Sequence, residues 1–247
     1  MPVGVHNLAG FPLNIETIVS VLLCMDLDSA SLYNAKRSES EQMERYRLSF
    51  TFGSLLIQET QVIAYEYVKD HDWAAVKSRI LDKNLLQKTR LTSSKRYFRE
   101  IKERLSSAHD WEVDLIASEL PYNQKTTVIL AITTRYYRFL RDFIIEVIRH
   151  KWLGKDVQLQ DYDFVSFFES KVPNHEELTE ISDTTKAKLR AVTLRTLREG
   201  NLLARNRRDI QKLTVPASLL QRYASSKDYD ALRIFLLSDK EIAGVSS

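Results

Sequence analysis

Residues 72–105 read DWAAVKSRILDKNLLQKTRLTSSKRYFREIKERL, and their spacing sets the fold class. Asp72 is placed to cap a helix over 73–82 whose apolar residues are Trp73, Val76, Ile80 and Leu81. After a connection at 84–91, Thr92 or Ser93 can cap a further helix that runs to Leu105. Tyr97, Ile101 and Leu105 recur at i, i+4 and i+8, with Phe98 beside them, so this helix turns one face inward and leaves Lys95, Arg96, Arg99, Lys102 and Glu103 outside. Upstream, Leu55, Leu56, Ile57, Val62, Ile63, Tyr65 and Val68 form an apolar stripe at helical period. Three helices with a short turn before a basic third one match a helix-turn-helix.

The helical period continues to both sides of this motif. Residues 111–152 read as two helices broken near Pro121 and Tyr122. The second carries Val128, Ile129, Ile132, Tyr136, Phe139, Leu140, Phe143, Ile144 and Val147, as a central core helix would. A helix over 164–172 stops before Pro173, a short one spans 176–181, and a long one runs over 183–199 with Gly200 at its C′ position. Leu202 and Leu203, a basic tip at 205–208, then Ile210, Leu213 and Val215 resemble the two strands and tip of a winged helix. Only six Gly and five Pro in 247 residues speak against a turn-rich β fold. The expected class is all-α with a short C-terminal β-wing, in two packed helical lobes, each with a helix-turn-helix-like motif. The expected divisions are an N-terminal extension (1–44), a helix-turn-helix lobe (45–110), central core helices (111–156), a winged-helix-like lobe (157–224) and a C-terminal tail helix (225–247).

Charge distribution points to the partner. The net charge is +3, but residues 77–104 carry +7 and residues 182–212 carry +6, which leaves −10 for all the others. Two strongly basic segments in an otherwise acidic chain suit polyanion binding, and double-stranded DNA is the expected partner. Ser93, Ser94, Lys95, Arg96, Arg99 and Lys102 are the candidate contacts in the first segment. Thr184, Thr185, Lys186, Lys188 and Arg190 are those of the second, with Arg205, Arg207 and Arg208 at the wing tip, because hydroxyls beside cations suit phosphate contacts. Between the basic segments, residues 156–183 hold eight acidic side chains against Lys171 and should avoid phosphates.

The competing readings are a protein scaffold whose basic faces meet acidic partners, and a magnesium-dependent nuclease. For the nuclease, Asp161 or Asp163 with Glu169 and Lys171 imitates the Asp…Glu-x-Lys order, but that site needs a β-hairpin and this stretch reads as helix. His71-Asp72 and His109-Asp110 coincide with helix starts, and no phosphate-binding glycine loop or nucleophile elbow occurs. No enzyme activity, cofactor or metal is expected. The Arg135, Tyr136, Tyr137, Arg138 cluster has core spacing. One cysteine, Cys24, cannot form an internal disulfide, and no stretch is long and apolar enough to span a bilayer, so the expected location is the cytoplasm.

Four blocks carry a family resemblance: SFTFGSLLIQETQVIAYEYV at 49–68, DWAAVKSRILDKNLLQKTR at 72–90, SSKRYFREIKERL at 93–105 and TTKAKLRAVTLRTLREGNLL at 184–203. In this order they resemble the BrxA family of bacteriophage-exclusion (BREX) defence systems, over roughly residues 46–223. The resemblance implies a small non-enzymatic component that works with other BREX proteins: a DNA methyltransferase, a large ATPase and an alkaline-phosphatase-like protein.

Overall fold

The computed structural model describes residues 45–204 and 207–246. The expected N-terminal extension and Arg205 lie outside them. The described fold is all-α. After a 3-10 turn at Ser49–Phe52 come α1 (Ile57–Tyr67), α2 (Trp73–Asp82), α3 (Leu91–Leu105), α4 (Asp110–Ala117), α5 (Tyr122–Tyr136) and α6 (Arg138–Phe143). A π-helical turn, Ile144–Arg149, leads into α7 (His150–Leu153). Then follow α8 (Asp161–Lys171), α9 (Glu176–Thr179), α10 (Asp183–Glu199), α11 (Ala217–Ser225), α12 (Tyr229–Ile234) and α13 (Asp239–Ser246).

Local chemistry explains most boundaries. Asp72 caps α2 by accepting from the Ala74 N–H at 2.8 Å. The hydroxyl of Ser182 accepts from the Thr185 N–H at 3.3 Å and opens α10. The start of α3 differs from expectation: Arg90 holds the N-cap position in extended backbone and no side chain caps the helix. The Arg90 carbonyl accepts from Ser93 and Ser94 N–H, which draws Thr92 and Ser93 into the first turn. The long helix expected through residue 147 is also interrupted. Tyr137 (φ −108°, ψ 88°) separates α5 from α6. Its ring is fully buried against Phe50, and its hydroxyl donates to Glu100, so a tertiary contact overrides the helical period.

α5 is the axis of the core, with every side chain from Thr126 to Thr134 buried. Its enclosed hydroxyls bond back to carbonyls of the preceding turn, Thr133 to Ile129 at 2.7 Å and Thr134 to Leu130 at 2.8 Å. Around it pack α1, α3, α4, α6 and α12. Phe139 and Phe143 of α6 meet Phe164 and Phe167 of α8 edge-on. Glu112 of α4, fully buried, accepts from Arg135 of α5 at 2.7 Å and from the Tyr223 hydroxyl of α11 at 2.8 Å, and Arg135 also donates to Asp228 at 2.5 Å. That network ties the middle of the chain to its C-terminal part. Arg45–Ser247 packs as one compact unit, and the divisions expected at 110/111, 156/157 and 224/225 fall inside it.

After α10 the chain turns back on itself. Gln211 N–H donates to the Leu202 carbonyl at 2.9 Å and Ala204 N–H to Asp209 at 2.9 Å, while Ile210 N–H donates to Val157 at 2.7 Å. These bonds make two isolated antiparallel bridges, Leu203 with Ile210 and Gln158 with Asp209. No extended strand occurs among the described residues.

Candidate nucleic-acid interface

The first candidate surface is the outer side of α3. Ser94, Phe98, Ile101 and Leu105 form its buried row. Ser94 is 2% exposed and cannot reach a ligand without unfolding the helix, since it occupies the same inward row as Phe98 one turn later. Lys95, Arg96 and Arg99 are exposed, whereas Ser93 and Lys102 are half-buried. Arg96 lies over the Phe52 ring at 4.0 Å and Lys102 over Trp73 at 5.7 Å, so aromatic faces hold both cations in place. Among the described residues no ion pair engages Lys95 or Arg99.

The second surface lies on α10. Thr184, Ala187, Lys188, Ala191 and Arg195 form a continuous exposed stripe. Two other cations of this helix, Lys186 and Arg190, face α8. Lys186 sits over the Phe168 ring at 4.4 Å, and Arg190, one turn on, pairs with Asp161. Arg208 pairs with the same carboxylate, and the guanidinium of Arg208 first, then that of Arg190, holds the Asp161 carboxyl below the usual range. The Thr185 hydroxyl is 3.0 Å from that of Ser182, within the helix cap, and Thr184 is also within 2.9 Å of it. Arg207 is exposed at the turn. Spacing alone missed Arg195, although its position seven residues after Lys188 is a signal that could have found it. Phe52, the ring under Arg96, had no such signal.

A shared fastening joins the two helices. Arg104, at the end of α3 and 2% exposed, donates to the Ser54 carbonyl at 2.7 Å and the Gly53 carbonyl at 3.2 Å, and pairs with Glu100 at 2.9 Å. Glu199, the last residue of α10, accepts from the Ser54 hydroxyl at 2.6 Å and from the Leu55 N–H at 3.0 Å. The C-terminal ends of both basic helices therefore grip one three-residue segment. At 1.5 Å of rise per residue, Lys95 lies about 14 Å along α3 from Arg104, and Lys188 about 16 Å along α10 from Glu199.

The remaining sequence candidates point elsewhere. Asp163 is spent on the start of α8, accepting from Gln160 N–H at 2.7 Å, and on Lys151 at 3.2 Å. Lys171 pairs with Glu146 at 2.6 Å. Among the described residues no group of three His, Cys, Asp or Glu side chains is placed to hold a metal ion. No described helix is long and apolar enough to cross a membrane.

A model of the BrxA family matches residues 44–226. The chain belongs to the BrxA family. A relative, "BREX protein BrxA" of Escherichia coli O9:H4 (strain HS), is 25% identical over 174 residues, which cover 69% of this chain and 81% of that protein. The crystal structure of an uncharacterized protein from Magnetospirillum magneticum shares the fold, with a TM-score of 0.68 at 17% identity over 78% of this chain and 98% of that one. The BrxA match begins where the described fold does. There Tyr46 stacks on His175 at 3.8 Å, donates its N–H to Glu177 at 2.5 Å and its hydroxyl to Asp142 at 2.8 Å. Both cationic helices lie within the matched residues.

Proposed function

We propose that this BrxA-family chain is a non-enzymatic component of a BREX defence system that binds double-stranded DNA through α3 and α10, and that other BREX proteins are its partners. The observation that carries the reading is the fastening at Ser54. It holds two exposed cationic stripes, Lys95 and Arg99 on one and Lys188 and Arg195 on the other, on a single unit. Cations that no carboxylate engages hold charge available for phosphates, and phosphate neutralisation supplies most of non-specific DNA affinity. The α1–α3 helices and the turn at 202–211 are read as helix-turn-helix and wing elements that position these cations. Specific base readout is expected to be modest, because Lys and Arg on phosphates position a protein without reading sequence.

The test is a mobility shift of random duplex DNA with purified protein, without added metal or nucleotide, followed by incubation with magnesium. Retarded and uncut duplex is expected. Magnesium-dependent cutting abolished by Glu169→Ala or Lys171→Ala would replace this reading with the nuclease. An unshifted duplex would favour the scaffold.

A further inference from the structure

The Asp161 cluster carries more than a surface ion pair. Its two arginines come from separate elements: Arg190 from the middle of α10, Arg208 from the turn that follows it. Backbone bonding brings them together, because Leu159 N–H donates to the Arg208 carbonyl at 2.9 Å and fixes Arg208 two residues from Asp161. Gln158 reinforces the register through its side-chain amide, 3.1 Å from the Asp209 carboxylate. The cluster is open to solvent, with the Asp161 side chain 65% exposed and Arg190 and Arg208 33% and 39% exposed.

Two convergent guanidiniums on one single-charged oxygen acid form a receptor that a phosphodiester fits equally well, since both anions offer two oxygens to planar N–H donors. The cluster retains a charge of +1 with the carboxylate in place, so it still attracts a second anion, yet a phosphate arriving there meets the carboxylate first. Asp161 can leave at little cost. It is the first residue of α8, where the N–H groups of the opening turn favour a negative side chain whether or not the arginines are paired with it.

We propose that Arg190 and Arg208 form one phosphate-binding seat, that Asp161 occupies this seat while no nucleic acid is bound, and that a DNA backbone phosphate displaces it. The inference rests on the DNA-binding reading above and adds an internal competitor to it. Asp161 thereby lowers affinity and sharpens the requirement for a correctly placed backbone.

The experiment measures duplex affinity against salt for the wild type, Asp161→Asn, and Asp161→Ser, which keeps a side chain suited to a helix start. Both variants should bind several-fold more tightly at moderate salt. The slope of log K against log salt should stay near that of the wild type, because the same phosphate fills the seat in both, and should become shallower by about 0.9 when Arg190 and Arg208 are removed. In an Arg190→Ala/Arg208→Ala background the Asp161 substitutions should have no effect. An equal gain in that background would make Asp161 a general repulsive charge and overturn the seat. Unchanged or weaker binding by folded Asp161 variants, with the wild type still binding, would overturn the seat and leave the DNA reading standing. Failure of every protein to bind duplex would overturn both.

Discussion

Glu241 shows how a single carboxylate can fasten a turn to a helix. It accepts from the Ser238 N–H at 2.7 Å, closing the start of α13, and from the Lys212 ammonium at 2.5 Å, which holds the arm leaving the 202–211 turn. Those bonds, the Lys212 one foremost, depress its pKa to about 2. A carboxylate with a lowered folded-state pKa contributes stability above the ordinary glutamate range and loses it as pH falls towards about 2. Glu241→Gln keeps the bond to Ser238 and removes the charge. Its melting temperature should fall below that of the wild type at pH 7 by an amount corresponding to under about 1 kcal/mol, because the pair is half-exposed, and most of the gap should be lost at about pH 2. A gap equal at both pH values would mean that the charge is not the cause. At this scale the sequence was only partly legible. Lys95 and Ser94 are neighbours, and helical period alone sends Lys95 outward and Ser94 into the row of Phe98 and Ile101. The pairing of Arg190 and Arg208 with Asp161 was not legible, since it depends on a backbone bridge between residues about fifty apart in sequence.

The helices were easier to read than their junctions. Asp183–Glu199 has the bounds that Ser182 and Gly200 signal, but Gly200 ends the helix for a different reason from the one expected. Its φ is −77°, and the left-handed residue is Asn201 at φ 60°. A Cβ at Gly200 would lie 3.1 Å from the Leu130 side chain, so a larger residue would press on α5 and require Leu130 to shift. Such packing leaves no trace in local sequence, and neither does the Tyr137 break. The junction on which the proposed DNA surface depends is the grip of Arg104 and Glu199 on residues 53–55. Arg104→Leu leaves Glu100 buried without its cation and removes the donors that the Ser54 and Gly53 carbonyls use. Unfolding by urea should show a loss of about 3–5 kcal/mol, the usual cost of breaking a buried pair from one side. A loss below about 1 kcal/mol would mean that the segment is held by its apolar neighbours and that the fastening is incidental.

At the scale of the whole molecule, the all-α class and the two basic segments follow from periodicity and charge counting. That these segments belong to one compact unit does not, because the network of Glu112, Arg135, Tyr223 and Asp228 joins residues more than a hundred positions apart. One unit with two cationic stripes makes a quantitative claim about salt. If the two stripes together neutralise about five phosphates, log K for duplex DNA should fall with log salt at a slope of roughly −4.5. The decisive measurement is that slope, taken by fluorescence anisotropy on random duplex, for the wild type and for two folded variants. One carries Ala at Lys95, Arg96 and Arg99, and the other carries Ala at Lys188 and Arg195. Each variant should bring the slope to about half and weaken binding to all sequences alike, while a wild-type slope and affinity in both would contradict the two-surface account.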